Sequence, residues 1–205
     1  RSSDLYTKET KEAIVDATNY LSRPQNEKGE ALSNSERAIV RYGLSLVGKA
    51  SSFPRPDDMS ILEDDLLAMA VIANYRSGDK NPETNGLNLL ILKAQKEGNT
   101  AHWQAAPYTR FGSIDASTAW AVRAILTAGG DRELAVAGAN YLLNSRDNNY
   151  WSNTYGTVVT ARALIDLYEN DNEKNPNYAY SVKLDGQEIK SGTITSATTA
   201  IPDIN

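Results

Sequence analysis

Two acidic clusters are the first residues whose types and spacing could do chemistry. Asp57-Asp58 and Glu63-Asp64-Asp65 place five carboxylates in nine consecutive positions. Paired carboxylates supply the acid and base of a glycosidase, or the protonation and Mg²⁺ site of a terpenoid cyclase. A structural role also fits, because Asp57 or Asp58 can cap a helix and acidic residues stabilise its first turns. The pattern favours the structural role, and catalysis stays open as an alternative.

Nucleophile and metal chemistry find few suitable residues. The chain has no cysteine, so disulfides, thiolate metal sites and thiol nucleophiles are excluded. His102 is the single histidine. One histidine cannot build a multi-histidine metal site, and a Ser-His-Asp site would lack a nucleophile-elbow motif. We predict no catalytic, thioester, cofactor-binding or metal residue, and we expect His102 to seat Trp103 at a helix start.

Aromatic side chains could line a cavity for a sugar or an isoprenoid. At repeat boundaries such residues more often wedge helical hairpins together, which is the interpretation the pattern favours. Candidate surface or cavity contacts are His102, Trp103, Tyr108 and Trp151. The wider aromatic set is Trp103, Tyr108, Phe111, Trp120, Tyr150, Trp151 and Tyr155.

These aromatic residues belong to two similar units. Each unit opens with an aromatic pair that ends in tryptophan, passes through a loop, and enters a helix with the pattern Thr-Ala-x-Ala. The tryptophans, Trp103 and Trp151, are 151 − 103 = 48 residues apart, and Thr118 and Thr160 are 160 − 118 = 42 apart. This spacing is near the ~40–50 residue period of stacked helix pairs.

Seven helices are predicted from apolar periodicity and capping residues. The first covers 6–21, and the second follows a cap at Ser33 or Asn34 with the apolar face Ile39, Val40, Gly43, Leu44 and Val47, ending near Gly48. Asp57 or Asp58 caps the third, which runs to Ser77, and the fourth covers about 83–97. The fifth runs from about Asp115 to Ala128, Asp131 caps the sixth, and the seventh covers about 156–168.

The pattern changes to period two after Pro176. Alternating apolar residues from Tyr178 to Leu184, the turn Asp185-Gly186 and a return segment to Thr195 predict a β-hairpin. We therefore predict a helical domain at 1–175 and a β segment at 176–205. A lone hairpin is marginal in water, so it must pack on the helices or join a further sheet.

The expected fold class is mainly α, with helix pairs arranged around an axis as a partial α/α toroid. The third, fifth and seventh helices are expected to be inner ones, because small residues permit close approach. An open superhelix fits the periodicity equally well. The small residues are Ala68, Ala70, Ala119, Ala121, Ala161 and Ala163.

Composition limits the partners. The net charge of −5 and a pI near 5.0 argue against nucleic acid, and no apolar run is long enough to span a bilayer. The opening residues, RSSDLYTKET, lack an initiator Met and a signal-peptide core, so we expect a processed chain or a part of a longer one.

Residues 151–169, WSNTYGTVVTARALIDLYE, resemble the signature near the end of the thioester domain in bacterial α2-macroglobulins. The stretch HWQAAPYTRFGSIDASTAWAVRAIL resembles the preceding repeat, and NPNYAYSVKLDGQEIKSGTIT resembles the start of the following β domain. The resemblance implies an α/α toroid within a large, exported, periplasmic or lipoprotein-anchored protein that traps proteases. Its partners would be other domains of the same polypeptide and, through the host, target proteases.

The chain departs from that family where the thioester is concerned. The family forms the bond within a Cys-x-Glu-Gln motif, and this chain has no cysteine. The motif would lie upstream or be absent from the protein. Seven helices are also fewer than the roughly twelve that a complete toroid implies by resemblance, which predicts a partial domain.

Two other functions remain open from the sequence. One is an α/α-toroid enzyme that acts on carbohydrate or isoprenoid substrates with Asp64, Asp65 and cavity aromatics. The other is an interaction module of stacked helix pairs, which would need an exposed apolar groove.

Overall fold

The computed structural model describes residues 8–105, 112–148, 150–170 and 177–195. These residues are mainly helical and end in an antiparallel β-hairpin, which confirms the predicted class. The elements are α1 (Lys8–Leu21), α2 (Asn34–Ser45), a 3-10 helix (Ala50–Ser52), α3 (Asp64–Arg76), α4 (Pro82–Asn85), α5 (Leu87–Leu92), β1 (Gln95–Glu97), β2 (Thr100–His102), α6 (Ile114–Ala128), α7 (Arg132–Asn144), α8 (Thr154–Asn170), β3 (Asn177–Leu184) and β4 (Gln187–Thr195).

Several predicted helix ends are confirmed by their caps. Ser33 forms a capping box with Glu36 at the start of α2. The Asp131 carboxylate accepts hydrogen bonds from two backbone N–H groups in the first turn of α7. Gly129 ends α6 with φ 68°, a left-handed conformation that glycine adopts without strain.

The third helix starts later than predicted. Asp57 and Asp58 do not cap it, because Asp58 accepts bonds from Ser60 in a local turn and Asp57 pairs with Arg37. Helix α3 begins at Asp64. The Asp58 carboxylate therefore stabilises a turn in the loop before α3 and does not cap the helix.

The predicted fourth helix is broken and shorter. Gly86, at φ 95°, separates α4 from α5, and α5 ends at Leu92. Residues 95–97 form β1, which pairs antiparallel with β2. The positive φ at Gly86 is strained for other residues, and a Cβ there would lie 3.2 Å from Met59 Sδ, so that side chain would have to shift.

The predicted apolar face of the second helix is rotated in the structure. Leu44 is buried as expected, but Ile39 and Val47 are exposed. The residues of α2 that point inward are Ala38, Arg41, Leu44 and Ser45. Periodicity did not predict this face because a buried arginine occupies one of its positions.

The core lies between α3, α6 and the elements around them. Helix α6 packs against α3 on one side and α8 on the other, and α7 lies against α6 and β2. Helices α3 and α6 are buried over most of their length. Helix α8 is less buried, and Ala161, expected at a close helix contact, is exposed.

The C-terminal hairpin has the predicted strands and turn. Strands β3 and β4 pair antiparallel, with Asp185 and Gly186 at positive φ between them. The Tyr180 ring lies over Gly192, where a Cβ would come within 2.9 Å of the ring. Among the described helices, none has the length and apolar character needed to cross a membrane.

Candidate functional site

The two tryptophans predicted as contacts are buried junctions between helices. Trp103 is fully buried and Trp151 is 7% exposed. His102 is half-buried in β2 and stacks on Tyr141, with ring centroids 4.9 Å apart. Trp103 therefore follows a strand and does not start a helix as predicted. Tyr108 lies outside the described residues, as does Phe111.

Trp103 joins three elements through two hydrogen bonds. Its backbone N–H donates to Thr118 Oγ1 of α6 at 3.1 Å, and its indole Nε1–H donates to the Leu90 carbonyl of α5 at 2.8 Å. The next residue, Gln104, donates its backbone N–H to Asp64 Oδ2 at 2.9 Å. The other Asp64 oxygen accepts from Lys93 Nζ at 2.8 Å.

Trp151 repeats these bonds one unit later. Its backbone N–H donates to Thr157 Oγ1 of α8 at 3.0 Å, and its Nε1–H donates to the Leu142 carbonyl of α7 at 2.5 Å. The next residue, Ser152, donates its hydroxyl to Asp115 Oδ2. The other Asp115 oxygen accepts from Ser145 Oγ at 2.8 Å.

These bonds give the helices their directions. Asp64 and Asp115 lie in the first turns of α3 and α6; Asp64 binds Gln104, which precedes α6, and Asp115 binds Ser152, which precedes α8. The N-termini of α3, α6 and α8 are therefore at the same end. Lys93 and Ser145 follow the ends of α5 and α7 and reach the same carboxylates, so α5 and α7 run in the opposite direction.

The acidic clusters do not converge on one site. Asp57 forms an ion pair with Arg37, Asp58 caps a turn, and Asp64 holds the Trp103 loop. Asp65 is the exception, since it lies partly buried near aromatic residues. Burial raises the pKa of its carboxyl, although backbone N–H groups oppose the shift.

An aromatic cluster lies beside Asp65. Tyr42 of α2 contacts Trp120 edge-on, with ring centroids 4.9 Å apart, and Trp120 Nε1–H donates to Tyr155 Oη at 2.8 Å. The Arg123 guanidinium lies over the Trp120 ring at 4.6 Å. Burial raises the pKa of Tyr155, and the nearby Asp65 charge adds to the shift. Tyr42 was not predicted here because it comes from a helix far away in the chain.

A buried polar network was also missed. Arg41, 2% exposed, donates to the carbonyls of Ala50 and Phe53 and to Asn74 Oδ1. Asn74 donates in turn to the Asn85 carbonyl at 3.2 Å. Burial lowers the pKa of Arg41, and the Arg55 charge adds to this effect. An Arg-x-x-Leu pattern in α2 gives no signal of such a network, because arginine usually stays at the surface.

Asp166 forms two further ion pairs. Asp166 of α8 accepts from Arg123 Nε and Arg162 Nε, each at 2.8 Å, which ties α8 to α6. No group of three or more His, Asp or Glu side chains that could hold a metal ion occurs in the described parts of the chain.

No protein-family model and no curated protein sequence matches the chain. The tryptophans and the Asp64 and Asp115 carboxylates are engaged in the bonds of the two junctions. In the aromatic cluster, the partly buried Asp65 carboxyl lies near Tyr155.

Proposed function

We propose that the chain is a structural part of an α2-macroglobulin-like protease-trapping protein. Residues 1–175 would form part of its thioester-type α/α toroid, and 176–205 would begin the next β domain. The observation that carries the proposal is the repeated junction. Helices α3, α6 and α8 run parallel, α5 and α7 run antiparallel to them, and a tryptophan links each pair, as the inner and outer helices of a toroid would be linked.

Side chains from distant helices support a curved arrangement. Tyr42 of α2, Trp120 of α6 and Tyr155 of α8 form one cluster, although α2 and α8 are separated by α3 and α6 in the packing order. A flat row of helices would hold α2 and α8 apart. A row that bends around an axis brings them together, as a toroid requires.

The proposed role is structural because the chain's own reactive groups are few. Without cysteine it cannot form a thioester, and most of its buried carboxylates hold loops in place. Its partners would be other domains of the same polypeptide and, through the host, target proteases. An exported host, periplasmic or at the cell surface, follows from the same proposal.

Protease trapping by the intact polypeptide tests the proposal. A trapped protease keeps its active site but is enclosed, so it should lose cleavage of a large protein substrate and keep cleavage of a small peptide. The intact polypeptide should also become more compact after cleavage, measured by small-angle scattering. The control is the same protease blocked at its active site. If neither the selectivity nor the shape changes, the proposal is wrong.

The Asp65 cluster supports a second candidate, an α/α-toroid enzyme that acts on carbohydrate or isoprenoid substrates. A partly buried carboxyl with a raised pKa can act as a general acid. Turnover by the wild-type chain on a panel of polysaccharides and isoprenoid diphosphates, compared with Asp65→Asn, tests this function. Asp58→Asn is the control, because Asp58 only caps a turn. Turnover that survives Asp65→Asn, or no turnover at all, excludes this candidate.

A further inference from the structure

Helix α8 has a second apolar face that no described element covers. Val158 is 62% exposed and Ile165 is 47% exposed, and Ala161 and Tyr168 are exposed on the same line. Their spacing of three, four and three residues is that of a seam between two packed helices. The opposite face of α8 already packs on α6 through Val159 and Ala163.

Helix α6 has a corresponding face, and there another helix covers it. Ser113 accepts from the backbone N–H of Ala116, and Asn153 accepts from that of Gly156, so the two helix starts match at an offset of 40 residues. The tryptophan-bonded threonines are 157 − 118 = 39 apart, so the structural match differs from the 42-residue spacing of the Thr-Ala-x-Ala motifs. In α6 the residues that match Val158 and Arg162 are Thr118 and Val122. Both contact α7 at Gly138, where a Cβ would lie 3.8 Å from Thr118 Cγ2 and 2.5 Å from Val122 Cγ2.

The position that α7 occupies on α6 is therefore open on α8. Ile125, which matches Ile165, is fully buried against Gly130 and Leu87. Ile165 has no equivalent cover. The internal repeat thus indicates that the α8 face is built to receive helices.

A complementary surface lies between α1 and α2. Helix α1 has no buried residue, although it carries Ile14 and Val15. An apolar groove of about 250 Å³ runs beside it, lined by Ile14, Val15, Thr18, Asn19, Val47 and Lys49. Ile14, Val15 and Val47 are all exposed.

We propose that α8 of one molecule packs into the α1–α2 groove of a second copy of this chain. The apolar stripe of α8 would cover Val15 and Val47. The charges match as well, because Glu169 follows the stripe and Lys49 lies on the rim of the groove, and both are exposed. Since the two surfaces differ, the contact is head to tail, and each molecule can bind two neighbours.

Sedimentation velocity of the 205-residue chain over a range of concentrations is the first measurement. The wild type should shift from monomer to larger species as concentration rises. Ile165→Lys on α8 and Val15→Lys on α1 should each raise the dissociation constant at least about tenfold, because each places a charge in an apolar contact. Leu143→Lys is the matched control, since Leu143 is 54% exposed on α7, outside both surfaces.

Mixing the two variants distinguishes a head-to-tail contact from any symmetric one. The Val15→Lys molecule keeps an intact α8, and the Ile165→Lys molecule keeps an intact groove. Together they should form one heterodimer and stop there. Circular dichroism of each variant checks that the fold is kept.

Three results would overturn the proposal. They are a wild type that stays monomeric up to its solubility limit, self-association that Leu143→Lys weakens as much as the other variants do, and mixed variants that remain monomers. None of these results bears on protease trapping, so the two proposals fail independently.

Discussion

The junctions at Trp103 and Trp151 share both tryptophan hydrogen bonds but differ in the donors to their aspartates and in depth. In both, the backbone N–H of tryptophan donates to a threonine, the indole N–H donates to the end of an outer helix, and an aspartate holds the next residue. Trp103 is fully buried, whereas Trp151 is slightly exposed. Trp103 has α7 behind it, near Gly138, and Trp151 has no following outer helix in the described residues.

This difference shows that hydrogen bonds alone do not set the strength of a junction. The bonds fix the position of the tryptophan, and the surrounding helices remove its ring from water. Burial of an aromatic side chain contributes more than any one neutral hydrogen bond. The first junction should therefore stabilise the fold more than the second, which the following changes test.

Removing each tryptophan should give the largest effect. Trp103→Ala should lower the free energy of unfolding by ~3–5 kcal/mol, and Trp151→Ala by less, because Trp151 is slightly exposed and no following helix packs on it in the described residues. Urea unfolding followed by circular dichroism measures both. If Trp103→Ala does not fold, Trp103→Phe and Trp151→Phe allow the same comparison. Equal losses would contradict the difference in depth.

Removing each aspartate should give a smaller effect with the same order. Asp64→Ala leaves Lys93 Nζ and the Gln104 N–H without their carboxylate and should cost about 2–3 kcal/mol. Asp115→Ala leaves two serine hydroxyls, which can bond to water, and should cost about 1–2 kcal/mol. The double variant Asp64→Ala with Lys93→Met should recover part of the loss. No recovery would mean that the ion pair is not what Asp64 contributes.

Replacing each threonine by valine removes the hydroxyl that accepts the tryptophan N–H. At Thr157 the same hydroxyl also donates to the Trp151 carbonyl at 3.1 Å. Thr118→Val should cost about 1–2 kcal/mol, because the Trp103 N–H would be buried without an acceptor. Thr157→Val should cost less, since Thr157 is half-buried and water can replace its hydroxyl. Thermal unfolding of both variants checks this order. A larger loss of stability for Thr157→Val than for Thr118→Val would contradict this prediction.

The smallest expected effect is a pH-dependent change in stability at Asp65, which lies outside both junctions. Burial holds the folded-state pKa of its carboxyl above the unfolded value, so the wild type loses stability as pH rises through that folded-state pKa. Asp65→Asn removes this loss. The melting temperature of Asp65→Asn relative to wild type should therefore rise slightly between acidic and neutral pH. Asp58→Asn should shift the opposite way, because hydrogen bonds from Ser60 lower the pKa of Asp58.

Local signals were sufficient for helix ends such as Ser33, Asp131 and Gly129, and for the Asp185-Gly186 hairpin. These features depend on residues within one turn of each other. The predicted cap at Asp57 or Asp58 was wrong because a closer donor, Ser60, takes the carboxylate. The junction site was predicted only as a repeated pattern of tryptophan and Thr-Ala. The threonine partners in it are Thr118 and Thr157, while Thr160, the motif residue of the second unit, bonds to neither tryptophan.

The sequence by itself determined the helical class, most helix ends, the repeated tryptophan units and the absence of thiol chemistry, because these follow from local preferences and composition. Only the tertiary structure decided which acidic residues hold loops, which face of α2 points inward, and which face of α8 stays open. Those outcomes depend on helices that are far apart in the chain. Arg41 can be buried because carbonyls of the 3-10 segment and Asn74 of α3 accept its hydrogen bonds.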